Sequence, residues 1–250
     1  MLADMRFGPR AVKPGERLSP VTLPMTNGAS VTVGGERDRP MVVVTGSLTC
    51  PMTEASTPSV RRLHDEYGTH IDFLMVSGRE AHPGEHLPQP KTDDAARARA
   101  HQLVTLHDLE FPVAIDTIDG AVHQQLDLKP NTLVVLDETG TVVFRSLWAG
   151  DHRQVRDALD AAAAGRKPAR TESRAMIGPM SGALPKISEV TRRGGSTAWA
   201  DVKRSAPPMA MMAWLAARLP FESGRVRGAV AMAAPALVMM VAVVSFLIVS

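Results

Sequence analysis

Cysteine is almost absent from this sequence: Cys50 is the only one among 250 residues. A single thiol cannot form an internal disulfide, so an oxidised state of Cys50 requires a thiol from another molecule. This scarcity argues against a small secreted domain built on disulfides. The N-terminal residues lack an apolar stretch, and we predict no signal peptide.

Aromatic residues are also scarce, at 4% of the chain with one tyrosine and three tryptophans. Because single-stranded nucleic acid stacks its bases on aromatic side chains, the basic C-terminal part does not indicate a nucleic-acid partner. No glycine-rich phosphate-binding loop occurs. His82 and His86 are close in sequence, but a proline–glycine loop connects them and no third ligand has a suitable spacing. We therefore expect no nucleic acid, no metal and no bound cofactor.

The total charge of +2 conceals two unlike parts of the chain. Residues 1–164 carry 16 Lys and Arg against 22 Asp and Glu, a net charge of −6. Residues 165–250 carry 12 against 4, a net charge of +8. All eight histidines lie at or before His152, so the candidate catalytic residues are in the acidic part.

Hydrophobic patterning predicts an α/β domain over residues 1–164. Asn27-Gly28 lies between two β-prone runs and predicts a hairpin. Strands are predicted at 41–46, 71–77, 111–115, 131–137 and 141–146, and helices at 52–67, 93–107, 119–126 and 151–164. Alternating strands and helices that end in a hairpin and a helix predict a small sheet covered on both faces.

The C-terminal part has a different pattern. Residues 165–227 are rich in Arg, Gly, Ser and Pro and predict a basic flexible linker, with a short apolar helix at 209–219. Residues 228–250 carry no charge, and a run of this length predicts a single transmembrane helix. Because Arg218, Arg225 and Arg227 precede this run, we expect a cell-membrane protein whose body faces the cytoplasm and whose tail contacts lipid.

The one cysteine lies where a predicted strand ends and a helix begins. A β-branched run (42–44) precedes Cys50, and Pro51 suits the first turn of a helix because its missing N–H would have no partner there. A helix N-terminus can lower a thiol pKa from ~8.5 to roughly 3.5–7.5. We predict a thiolate nucleophile, with the Ser47 and Thr49 hydroxyls donating hydrogen bonds to its sulfur. The alternative is that Cys50 is a small buried apolar residue.

Several motifs accompany this cysteine in order along the chain. They are Gly46-Ser47-Leu48-Thr49-Cys50-Pro51, Tyr67, Asp72-Phe73-Leu74, Glu80-Ala81-His82-Pro83, Pro112 to Ile118, and Pro130 followed by Leu133 to Leu136. The series resembles the iodothyronine deiodinase family over roughly residues 15–160. Those enzymes have a thioredoxin fold with selenocysteine at the position of Cys50. The resemblance implies a thioredoxin-like three-layer α/β/α sandwich.

His82 is the predicted proton donor, since the loop that follows the second parallel strand should lie close to the cysteine. The resemblance implies functional roles for both His82 and Glu80, and Glu80 could orient the imidazole or raise its pKa. It also implies that Pro130 is a cis proline against the reactive sulfur. We predict that Pro51 and Pro130 contact the substrate. Residues 84–86, Gly-Glu-His, depart from the family's Asp-Gly-Trp.

These features predict a thiol-dependent oxidoreductase of the deiodinase type. Its substrate would be a halogenated aromatic, and an external thiol reductant would regenerate Cys50. Ser47, three residues before the cysteine, also resembles the broader peroxiredoxin-like group. The alternatives are therefore a one-cysteine peroxidase acting on a hydroperoxide, and a non-catalytic membrane-tethered redox sensor. A homodimer is left open.

Overall fold

The computed structural model describes residues 6–126, 129 and 131–234. Its strands are β1 (Val21–Pro24), β2 (Ser30–Val33), β3 (Met41–Gly46), β4 (Asp72–Ser77), β5 (Val113–Ile115), β6 (Leu133–Leu136), β7 (Val142–Ser146) and β8 (Glu172–Ser173). Its helices are α1 (Pro51–Tyr67), α2 (Asp93–His107), α3 (Ala121–Leu126), α4 (His152–Ala163), α5 (Ile177–Ala183), α6 (Ile187–Gly194), α7 (Ser196–Ser205) and α8 (Pro207–Ala216). Residues 224–234 are also helical.

Six strands form the main sheet, in the order β5-β4-β3-β6-β7-β8. The strand β3 is central and pairs with β4 in parallel and with β6 antiparallel. The side chains of residues 41–44 are buried on both faces, which explains why this part of the strand is an unbroken apolar run. The elements β3, α1 and β4 form a βαβ unit, and β6, β7 and α4 form a ββα unit. This is the thioredoxin-like α/β arrangement, as predicted.

The two faces of the sheet are covered differently. One face packs against α1, α2 and α4 through a single large hydrophobic cluster. The other face packs against the β1–β2 hairpin and the short α3. The predicted three-layer sandwich is therefore confirmed for the sheet and one helical layer, whereas a hairpin supplies most of the second outer layer.

Local sequence signals fix several elements. Gly28 has a φ of +85° in the predicted turn between β1 and β2, a conformation that glycine adopts without a Cβ clash. The helix α1 continues through Pro58, which the sequence left undecided between a kink and a restart. The helix α2 has the predicted bounds, and the Thr92 hydroxyl accepts the N–H of Ala95 at 3.2 Å as an N-cap.

The prediction of a flexible linker over 165–227 is corrected by the structure. Within this range lie β8, which extends the main sheet beside β7, and the helices α5 to α8. We call residues 177–234 the C-terminal cap. Its helices are short and bury mainly small side chains, so they leave no long apolar period in the sequence.

Two predictions concern residues outside the described ranges. One is the cis proline at Pro130, and the other is most of the predicted transmembrane segment, residues 235–250. Within residues 6–126, 129 and 131–234, no helix combines the length and the apolar character that crossing a membrane requires.

Candidate active site

The parallel pairing of β3 and β4 brings two loops together at one edge of the sheet. Gly46 pairs with Ser77, so the chain leaves both strands at the same level. The loop after β3 carries Cys50, and the loop after β4 carries Glu80 and His82. Functional residues are commonly found at the carboxyl ends of parallel strands for this reason.

Cys50 occupies the N-cap position of α1 and is 4% exposed. It belongs to a hydrophobic cluster with residues from three parts of the chain: Met52, Leu147, Trp148, Met180 and Ala183. Partly buried side chains extend this cluster, among them Ala81, Met209 and Met232. The sulfur is thus covered by apolar groups, several of them from the C-terminal cap.

Burial raises the pKa of the Cys50 thiol, which corrects the prediction of a thiolate at neutral pH. Donor groups near the sulfur, namely the N–H groups of Met52 and Thr53 and the Thr53 hydroxyl, oppose this and lower its pKa, although the Cys50 side chain forms no capping hydrogen bond in the structure. The donors are those expected at the second and third positions of a helix. Removal of the sulfur from water outweighs them in this conformation.

Thr53 is a functional candidate that sequence reasoning missed. The signal was available, because a cysteine at the N-cap and Pro51 at the first helical position place the free N–H of residue 53 beside the cap side chain. The predicted donors, Ser47 and Thr49, instead connect the two loops. The Ser47 hydroxyl accepts the N–H of Ala81 at 3.3 Å.

Glu80 is buried, and its carboxylate contacts Thr49 rather than His82. The Thr49 N–H and hydroxyl donate to Glu80 Oε2 at 2.8 and 2.6 Å. The Thr49 hydroxyl also accepts the backbone N–H of His82 at 3.1 Å. Burial raises the pKa of Glu80, while the bonds from Thr49 lower it. Glu80 therefore holds the cysteine loop against the histidine loop, which corrects its predicted role in orienting the imidazole.

The imidazole of His82 faces a different carboxylate. Its Nδ1 lies 3.6 Å from Oδ2 of Asp201, a residue of α7 in the cap. Burial lowers the pKa of His82, and Asp201 opposes this by raising it. Sequence reasoning could not find this partner, because more than a hundred residues separate the two positions.

The remaining predicted site residues have simpler environments. Pro51 is buried at the first position of α1. Pro130 lies outside the described residues. In the part of the chain that the structure describes, no three His, Cys, Asp or Glu side chains are grouped so that they could hold a metal ion.

Part of the chain is similar in sequence to known proteins. The iodothyronine deiodinase family model matches residues 18–146, just over half of the chain. Thyroxine 5-deiodinase of Gallus gallus is 35% identical over 94 residues, which cover 33% of this chain and 35% of that protein. Type II iodothyronine deiodinase of Fundulus heteroclitus is 34% identical over 88 residues, or 32% of each protein. The chain thus matches about a third of the length of these relatives.

The fold has similar solved structures as well. An uncharacterized conserved protein from Geobacillus kaustophilus superposes with a TM-score of 0.52 at 18% identity, covering 64% of this chain and 87% of that one. The family match spans both Cys50 and the Glu80–His82 loop. The chain therefore belongs to the iodothyronine deiodinase family.

Proposed function

We propose that the protein catalyses reductive dehalogenation of an aromatic substrate, with Cys50 as the nucleophile and His82 as the proton carrier. One observation carries the proposal: the only cysteine occupies the N-cap position of α1, beside donor groups of Met52 and Thr53 that favour its thiolate, inside the segment that matches the deiodinase family. The names of the two relatives describe the removal of iodine from thyroxine and iodothyronine, which supports a halogenated aromatic as the substrate class.

The pKa directions define where the proton starts. The raised pKa of Cys50 favours a protonated thiol, and the lowered pKa of His82 favours a neutral imidazole. Transfer of the thiol proton to the imidazole would create a thiolate and an imidazolium. The donors from Met52 and Thr53 stabilise the thiolate that forms.

The thiolate then attacks the halogen, and the carbon–halogen bond breaks toward the ring carbon. His82 delivers its proton to that carbon, which leaves a halogenated sulfur on Cys50. An external thiol displaces halide from this sulfur and forms a mixed disulfide, and a second thiol releases Cys50. The sum is one aromatic halide and two thiols converted to the reduced aromatic, one disulfide, halide and a proton.

A one-cysteine peroxidase is the second candidate, and the burial of the sulfur favours it. With 4% of Cys50 exposed, a hydroperoxide as small as hydrogen peroxide reaches the sulfur more easily than a ring does. In this reaction the thiolate attacks one peroxide oxygen, giving a sulfenic acid and water or an alcohol.

Two assays on the full chain separate these reactions. Dehalogenation predicts halide release from a halogenated phenol in the presence of a thiol reductant, whereas peroxidase activity predicts a sulfenic acid at Cys50 that a dimedone-type probe traps. Both activities should vanish in Cys50→Ala. Unchanged turnover in Cys50→Ala would remove both candidates.

The membrane attachment predicted for residues 228–250 is also a proposal, with the body on the cytoplasmic side. Its support is the exposure of large apolar side chains on the cap: Ile177, Met211, Trp214, Phe221, Val226 and Val230. Alkaline carbonate extraction of membranes tests it. The full chain should stay in the pellet, and recovery in the supernatant would contradict the anchor.

A further inference from the structure

The C-terminal cap covers the proposed nucleophile. Met180 and Ala183 of α5 pack in the hydrophobic cluster of Cys50, and Met209 and Met232 extend it. Reacting atoms must approach to about 3–3.5 Å before bonds change. With this cap in place Cys50 is 4% exposed, which is too little for an aromatic ring to come that close to the sulfur.

The cap also engages the proposed proton carrier. Asp201 of α7 lies 3.6 Å from Nδ1 of His82. On the other side of the cysteine loop, Arg193 of α6 donates to the carbonyl oxygen of Leu48 and to Glu54, both at 3.0 Å. The cap thus contacts both catalytic loops through charged side chains.

The cap has a hydrophobic cluster of its own. Leu184, Ile187 and Val202 form it with alanines from α8 and the following helix, and it is separate from the two clusters that flank the main sheet. Segments with a separate cluster can open as units at a lower free energy than global unfolding. Movement of the cap therefore does not require the thioredoxin-like body to unfold.

Polar contacts with the loop after β4 hold the cap in place. The Glu85 carboxylate caps the N-terminus of α7, accepting the N–H of Ser196 at 2.5 Å and the N–H of Thr197 at 2.9 Å. The hydroxyls of both residues donate to the same carboxylate. His86 adds a bond from its N–H to the carbonyl oxygen of Gly194 at 3.1 Å.

We propose that the cap is an autoinhibitory gate: the closed state shields Cys50 and engages His82, and release of the Glu85 contact with α7 opens it. This inference rests on the proposed function of Cys50 as the nucleophile.

Glycines in the loop after β4, which the cap contacts, allow a precise test. A Cβ on Gly84 would lie 2.1 Å from the carbonyl oxygen of Gly194, so Gly84→Ala must displace the cap from the loop. Gly78 belongs to the same loop and has nothing within 4 Å of its would-be Cβ, which makes Gly78→Ala the matched control. Glu85→Ala removes the carboxylate that accepts the N–H groups at the start of α7. Glu66→Ala is its control, because it removes a glutamate that pairs with Arg156 instead.

The experiment measures how fast a maleimide alkylates the single thiol of the full chain under native conditions. We expect Gly84→Ala and Glu85→Ala to accelerate alkylation on the order of tenfold, since they shift the opening equilibrium, and both controls to match the parent within about twofold. Circular dichroism checks folding, and if Gly84→Ala fails to fold, Glu85→Ala carries the test.

The measurement separates the gate from the proposed function. If hydrogen exchange shows α7 opened in Glu85→Ala while alkylation stays at the control rate, the gate is refuted. Accelerated alkylation without halide release or a trapped sulfenic acid would instead uphold the gate and refute the proposed chemistry.

Discussion

Glu80 accepts two hydrogen bonds from Thr49, one from the backbone N–H at 2.8 Å and one from the hydroxyl at 2.6 Å. The pair is buried and connects the loop after β3 to the loop after β4. A buried carboxylate is costly unless it is hydrogen-bonded, so this contact fixes the relative position of the two loops. The spacing between the proposed nucleophile and the proposed proton carrier depends on it.

Thr49→Ala should weaken this connection. The substitution removes one bond to the Glu80 carboxylate and the acceptor of the His82 N–H. Loss of a buried bond to a charged group should lower the free energy of unfolding by about 1–3 kcal/mol, measured by urea denaturation. Thr49→Ser keeps the hydroxyl and should recover most of the loss. Equal stability of Thr49→Ala and the parent would contradict the importance of this contact.

Thr53→Val should raise the pKa of Cys50 further. The Thr53 hydroxyl lowers the pKa of Cys50 and so favours the thiolate, and valine keeps the shape of the side chain without the hydroxyl. The rate of thiol alkylation as a function of pH reports this pKa directly, because the chain has a single cysteine. Thr57→Val, whose hydroxyl donates to the Thr53 carbonyl oxygen at 2.7 Å, is the control. A pKa of Cys50 that is the same in both variants would exclude the hydroxyl as a stabiliser.

Asp201→Asn should lower the pKa of His82. Burial already lowers it, and the Asp201 carboxylate is the group that opposes this effect. NMR titration of the histidine ring protons measures the change. Asp65→Asn, beside His64 on α1, should leave the titration of His82 unaltered. An unchanged or raised pKa of His82 in Asp201→Asn would show that the two side chains do not interact in solution.

His152 should make the fold sensitive to acid. Burial, with Arg225 and Arg62 nearby, lowers the pKa of His152 to about 4 from its ordinary value of 6.5. The folded state then binds fewer protons than the unfolded state, so the stabilisation is complete above pH 6.5 and is lost as pH falls toward 4.

His152→Gln cannot take up this proton and should reduce the acid-induced loss of unfolding free energy. Because His152 is only partly buried, we expect a reduction of about 1–2 kcal/mol over that range. Urea denaturation at several pH values measures it, with His101→Gln on the exposed side of α2 as the control. The same pH dependence in His152→Gln and the parent would argue against the lowered pKa.

Local signals predicted the body of the protein well. The helix α2 begins after the Thr92 cap and ends at His107, as its apolar spacing and first-turn aspartates indicated. The Asn27-Gly28 turn predicted the hairpin of β1 and β2, and the β-branched run predicted β3. Each of these elements depends on residues that are close together in sequence. In the buried sheet, nearly every strand position must be apolar, so the hydrophobic pattern is easy to recognise.

The cap could not be predicted in the same way. Its helices α5 and α6 span only 7 and 8 residues, and Gly178, Gly182 and Gly194 within them are poor helix formers. Such helices are stable because they pack on the body and on one another. A sequence rich in glycine and arginine therefore resembled a linker although it folds.

The sequence by itself determined where the single thiol is: at the end of a buried strand and the start of a helix, beside a loop with a glutamate and a histidine. Tertiary structure alone raised the pKa of this thiol, because the apolar groups that desolvate Cys50 come from residues as distant as Met180 and Met232. Tertiary structure also decided that Glu80 accepts a hydrogen bond from Thr49 and that Asp201 lies beside His82. Helix donors act locally and can be inferred from spacing, whereas exclusion of water depends on every segment that packs around the sulfur.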